Sequence, residues 1–171
     1  MRNILIIGSG RSASSLIKYL LNNSEKENFS LTIGDINPEA AKKLIQEHPR
    51  VKIIELDVFQ EEQAKKAVAS CDLVISMLPA SFHIRIAEIC IELKKHMVTA
   101  SYVSKEMEAL HGKAVEKDLI FMNEIGLDPG IDHMSAMQVI DRIRDAGGKM
   151  LSFESFCGGF VAPESDNNLW N

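Results

Sequence analysis

Apolar residues along this chain fall into short unbroken runs, separated by longer stretches in which they recur every three or four positions. The runs suit strands covered on both faces, and the longer stretches suit helices with one buried face. Strands are predicted at 4–7, 31–33, 51–56, 73–76, 97–100 and 119–122, with helical patterns at 12–23, 38–47, 60–69, 81–94 and 104–117 between them. Six strands with a helical crossover in each gap predict an α/β fold, a Rossmann-type doubly wound parallel sheet made of two βαβαβ halves. Asn37 before Pro38 reads as an N-cap followed by a first-turn proline. Beyond residue 122 the pattern changes. Ile131, Met134, Met137, Ile140 and Ile143 share one helical face and read as core, Gly147-Gly148 stops that helix, and 151–157 alternates like a half-buried strand.

Composition narrows the class. The chain has 171 residues, enough for one domain or one and part of another. With 46% hydrophobic and 25% charged residues it is not a disordered chain. A formal net charge of −5 argues against nucleic-acid and anionic-membrane partners. No apolar run approaches the roughly 18 residues needed to span a bilayer, and Met1–Gly8 is too short and too weakly basic for a signal peptide. The protein is therefore read as soluble and cytoplasmic. Cys71, Cys90 and Cys157 have spacings that suit neither a disulfide framework nor a metal site, so no metal is expected.

Gly8-Ser9-Gly10-Arg11-Ser12-Ala13 follows the first strand and opens a helix, reading G-x-G-x-x-A. Gly8 permits the tight turn, Gly10 lets backbone approach a pyrophosphate, and Ala13 lets helix and strand pack closely, while Arg11 and Ser12 lie in the helix start that faces the phosphates. Asp35 ends the second strand 22 residues after Ala13, where an acid can accept both ribose hydroxyls of an adenosine. A 2′-phosphate would meet that carboxylate as a like charge, so NAD is expected over NADP. Asp57 is placed to border the adenine, and Pro79 to border the nicotinamide half. Each has a plainer reading: a turn cap for Asp35, a solvated loop acid for Asp57, a helix-start residue for Pro79.

Longer blocks carry a family resemblance. Asp72–Pro79 with His83, Lys95–Ser104, Met122–His133, and Ser152–Ser155 with Cys157–Gly159 and Ala162–Asn167 resemble the saccharopine dehydrogenases of the glutamate-forming type, in order along essentially the whole chain. The resemblance implies an oxidoreductase of lysine metabolism acting on a CH–NH donor, with saccharopine, or glutamate plus aminoadipate semialdehyde, as its small-molecule substrates. It implies hydride transfer at the secondary amine carbon of saccharopine, then imine hydrolysis. Members of the family run to more than twice this length. The domains are accordingly 1–124, a dinucleotide-binding Rossmann domain, and 125–171, the beginning of a truncated substrate domain; such a fragment is expected to bind cofactor without turning over alone. Where fungal members carry an Arg after the second strand, Asp35 stands here, and Phe160-Val161 replaces the usual Leu-Pro after the Cys-Gly-Gly.

Imine hydrolysis needs a general base and then a proton donor. The candidates at the carboxyl ends of the strands are Tyr102, Asp128 and Cys157. Their plainer readings are a loop aromatic, an N-cap before Pro129, and a small core residue. His83 is either near the cofactor or a solvated helix residue, and His133 reads as a packing residue. The unpaired edge of the 151–157 strand would permit a homodimer. Two other functions fit parts of the pattern: a carboxynorspermidine or homospermidine synthase-like enzyme, and a non-catalytic NAD-binding regulatory module.

Overall fold

Unbroken apolar runs become adjacent parallel strands because each must bury both of its faces. The computed structural model describes residues 1–45, 48–156 and 158. Its strands are β1 (Arg2–Ile7), β2 (Phe29–Asp35), β3 (Val51–Glu55), β4 (Leu73–Ser76), β5 (His96–Thr99) and β6 (Phe121–Met122). They form one parallel sheet in the order β3-β2-β1-β4-β5-β6. The order reverses between β1 and β4, the switch point at which such sheets open a crevice at their carboxyl ends. Ile7 lies level with Gly34 and Ser76, and Ser76 with Thr99. That register brings the ends of β1, β2, β4 and β5 to one rim.

The helices are α1 (Ser14–Asn23), α2 (Glu39–Leu44), α3 (Glu61–Ala69), α4 (His83–Glu92), α5 (Lys105–Ala109), α6 (His111–Glu116) and α7 (Ile131–Asp145). On one sheet face Ile6, Leu31, Ile33 and Ile75 pack with Ile17 of α1 and Ala41 of α2. On the other, Leu5, Ile7, Val74 and Met97 pack with Val68 of α3, Ile86 and Cys90 of α4, and Met107 of α5. Cys71 and Cys90 are buried free thiols, and burial pushes them up to about 11 and about 12. No helix among the described residues is long and apolar enough to cross a membrane.

Four local expectations change. The single helix expected over 104–117 is two, because Leu110 sits between them with ψ −8°, its N–H turned to the Met107 carbonyl and its side chain buried. Pro38, not Asn37, takes the N-cap position of α2, and Asn37 stands one residue before it with its Oδ1 accepting the Glu39 N–H at 3.2 Å. Residues 151–156 form no strand, and Leu151 and Phe156 are both 89% exposed. An alternating pattern becomes a strand only against a partner, and none of the described residues supplies one. For the same reason the stripe on α7 is not core: Met134 and Met137 are 60% and 45% exposed.

Candidate active site

Gly8 and Gly10 differ in what requires them. Gly8 has φ +99°, and a Cβ there would stand 2.8 Å from the Met77 carbonyl oxygen, so the fold itself demands glycine. Gly10 has an ordinary φ of −63°, and a Cβ on it would meet nothing within 4 Å among the described residues. Nothing in the fold explains its missing side chain, whereas a phosphate laid against the turn would. The 3₁₀ turn Arg11–Ala13 leads into α1 with no side-chain cap among the described residues; the Ala13 N–H turns back to the Gly10 carbonyl at 2.9 Å and the Ser14 N–H to the Arg11 carbonyl, so the N–H groups that remain for a ligand or water are those of the turn's start.

In front of Gly10 lies a cavity of about 310 Å³ that Gly8, Gly10, Asp35, Asp57, Pro79 and Phe82 help to line. The expected cofactor residues thus meet, except that Arg11, Ser12 and Ala13 stand outside the lining. Arg11 and Ser12 are exposed, and Ala13 is buried beneath the turn. Asp57 Oδ1 accepts the Phe59 N–H at 2.9 Å. Phe59 meets Phe82 edge to face with centroids 5.0 Å apart, and Arg85 lies over the Phe59 ring at 5.4 Å. This aromatic wall has no counterpart in the sequence expectations, since residues 23 apart do not reveal that they touch.

Asp35 does something other than expected. Its Oδ2 accepts the Ser9 N–H at 2.6 Å and the Ser9 hydroxyl at 2.8 Å, and its Oδ1 accepts the Asn37 N–H at 2.8 Å. Burial works to raise its pKa, but the Asn37 and Ser9 donors outweigh that and hold the carboxyl below its ordinary value. The carboxylate is turned into the glycine loop and fastens it to the end of β2.

Past β5 and β6 the chain brings two candidates together. Tyr102 donates its hydroxyl to Asp128 Oδ1 at 3.0 Å across 26 residues of sequence. Asp128 therefore is not the cap of α7; that helix begins at Ile131, and Asp132 receives the Gly130 N–H at 2.8 Å. Cys157 lies outside the described residues. His133 is exposed beside Asp132, whose carboxylate raises its pKa.

His83 is the residue sequence reasoning undervalued. It is 4% exposed, with Nδ1 2.8 Å from Ser76 Oγ and Nε2 2.8 Å from Ser101 Oγ and 3.2 Å from Thr99 Oγ1. Burial lowers its pKa, so the neutral imidazole is favoured. Glu124 works from the opposite side: its N–H donates to the Ser101 carbonyl at 3.0 Å, and its Oε1 accepts the Val103 N–H at 3.1 Å. A hydroxyl at the end of each of two neighbouring strands, with a histidine between them in sequence, was the available signal.

A glycine turn at the switch point, a cavity in front of it and a polar pair at the neighbouring strand ends define a Rossmann-type dinucleotide-binding oxidoreductase fold. Family comparison makes this specific: residues 4–122 match the saccharopine dehydrogenase NADP binding domain and residues 126–171 the saccharopine dehydrogenase C-terminal domain. The chain belongs to the saccharopine dehydrogenase family. It is 42% identical over 168 residues to the Schizosaccharomyces pombe saccharopine dehydrogenase [NADP(+), L-glutamate-forming], covering 98% of this chain and 37% of that protein. It is 37% identical to the Arabidopsis thaliana alpha-aminoadipic semialdehyde synthase, covering 96% of this chain and 17% of that one. Apo saccharopine dehydrogenase (L-Glu forming) from Saccharomyces cerevisiae superposes with a TM-score of 0.81 at 39% identity, over 96% of this chain and 36% of that structure. The chain thus spans little more than a third of the fungal relatives' length.

These matches overturn the expectation of NAD. The family model is that of an NADP binding domain, and the fungal relatives are named for NADP(+). The physical reason lies in Asp35, whose oxygens are engaged by Ser9 and Asn37. Its charge serves the loop, so its position does not report a ribose contact.

Proposed function

We propose that the protein carrying this chain is an NADP-dependent, glutamate-forming saccharopine dehydrogenase of lysine metabolism, with residues 1–124 as its cofactor domain and 125–171 as the start of its substrate domain. The observation that carries the reading is the Tyr102–Asp128 hydrogen bond at the ends of neighbouring strands, on the rim the cofactor cavity also occupies. When bound, the nicotinamide ring would take hydride from the secondary amine carbon of saccharopine. The chain's own residues do the rest. Gly8 and Gly10 admit the pyrophosphate, and the loop fastened by Asp35 holds that approach open. The Tyr102 hydroxyl gives a proton to the departing amine nitrogen, and Asp128 beside it accepts one from the attacking water and then passes it to the tyrosine, restoring both groups.

The test is NADP reduction at 340 nm on the full-length protein with saccharopine as substrate. Tyr102→Phe and Asp128→Asn are each expected to lower kcat by roughly 10²-fold or more, the usual worth of a general acid or base. The double variant should fall little further, because the two groups act as one unit. Saccharopine turnover unchanged in both single variants would overturn the assignment.

A further inference from the structure

Tyr102 is exposed and lies on a loop, yet the residues on either side of it are held. Ser101 is tied at three atoms: Oγ to His83 Nε2 at 2.8 Å, the carbonyl to the Glu124 N–H at 3.0 Å, and the N–H to Thr99 Oγ1 at 3.3 Å. Val103 is tied through its N–H to Glu124 Oε1 at 3.1 Å. Glu124 adopts φ +62°, a conformation uncommon for a residue with a side chain. That backbone lets its amide and carboxylate meet the two residues flanking Tyr102.

His83 extends the restraint to the cofactor rim. Its other nitrogen, Nδ1, meets Ser76 Oγ at 2.8 Å, and Ser76 directly precedes Met77-Leu78-Pro79 in the cavity wall. A neutral imidazole donates from one nitrogen and accepts at the other, and hydroxyls on both sides can take either role. Among the described residues the ring's three hydrogen-bond partners are all hydroxyls, and none is charged. The ring is thus a rigid spacer between the end of β4 and the loop after β5. A solvated or merely packed histidine would not need a matched partner on each nitrogen from two different strands.

We propose that His83, with Glu124, is a positioning residue that sets Tyr102 against Asp128 and couples that pair, through Ser76, to the cavity-lining segment 77–79. The catalytic meaning of the pair rests on the function proposed above, whereas the coupling itself does not. Misplacing a reacting group by about 1 Å can cost on the order of 10²-fold in rate, so hydrogen bonds that fix both neighbours of Tyr102 bear directly on where its hydroxyl stands.

The experiment labels tyrosine Cζ with ¹³C; the chain has two tyrosines, Tyr19 and Tyr102, so Tyr102→Phe assigns the signals. Asp128→Asn marks where the Tyr102 signal lies when the pair is broken. Ser101→Ala and His83→Gln should each move the Tyr102 signal toward that position and leave Tyr19 unmoved. In the full-length protein both should lower kcat about tenfold or more, with the KM for NADP within twofold. Ser101→Ala leaves the buried imidazole in place, so it decides the matter if His83→Gln does not fold. A folded Ser101→Ala protein with the Tyr102 signal at its wild-type position and kcat within twofold would overturn the proposal. If the unmutated protein does not turn over saccharopine, the functional reading fails, and the Tyr102 signal alone then confirms or overturns the coupling.

Discussion

Replacing Asp35 with Ala removes a single carboxylate that accepts three hydrogen bonds, two from Ser9 at 2.6 and 2.8 Å and one from Asn37 at 2.8 Å. A hydrogen bond to a charged acceptor is worth about 1.5–3 kcal/mol when buried. Asp35 is half-buried, and solvent screening cuts each bond to roughly 0.5–0.7 kcal/mol, giving about 1.5–2 kcal/mol for the three. For a chain of this size each kcal/mol moves Tm by about 2–4 °C, so Asp35→Ala should melt roughly 3–8 °C lower. Freeing the glycine loop also adds an ordering cost of about 0.5–1.5 kcal/mol on binding, a weakening of NADPH affinity of about two- to tenfold. The sign of the pH dependence follows from the lowered carboxyl. The stabilisation is fully present above the unfolded value of about 3.9 and is lost as pH falls through the lower folded value. Thermal melting and NADPH fluorescence titration of the two proteins are the assays. An unchanged Tm with NADPH binding lost a hundredfold would make Asp35 a ligand contact and refute its role as a loop clamp.

Other outcomes are as definite. Gly8→Ala should lose roughly 3 kcal/mol in urea denaturation, from its positive φ and its approach to Met77, whereas Gly10→Ala should stay within about 0.5 kcal/mol of the parent. His83, favoured neutral by burial, contributes stability that is complete above its unfolded value of about 6.5 and is lost as pH falls from there through its lowered folded value. Urea denaturation at pH 7 and pH 5 should therefore show a fall in stability that shrinks in His83→Gln.

The element order is legible in the sequence because unbroken apolar runs and three-to-four periodicity report directly on how many faces an element buries. What such patterns omit is the partner. The stripe Ile131, Met134, Met137 marks a helix face, but the spacing is the same whether or not something packs on it. The alternation over 151–157 is equally silent about whether a neighbouring strand exists. Asp35 stands at the spacing of a ribose acceptor, yet the direction of its carboxylate is decided by Ser9, 26 residues away. Local pattern leaves His83 undecided between cofactor and solvent, because its partners Ser76, Thr99 and Ser101 reach it only through the register of β4 and β5. The Tyr102–Asp128 pair was legible as two candidates and not as one unit, since contact across adjacent strand ends depends on strand order. Family resemblance, carried by long blocks, identified the chain where the short glycine motif alone could not, but the single acid at the end of β2 misdirected the choice of cofactor.

The claim on which the rest depends is that the glycine turn holds NADP, and NADPH fluorescence titration of the protein beside Gly10→Val tests it most directly. Gly10 has room for a side chain in the fold, with nothing among the described residues within 4 Å of an added Cβ, so the variant should keep the parent's circular dichroism spectrum and melting temperature. NADPH should bind the parent saturably and the variant not at all. Equal binding by the two, or no binding by the folded parent, would contradict that claim.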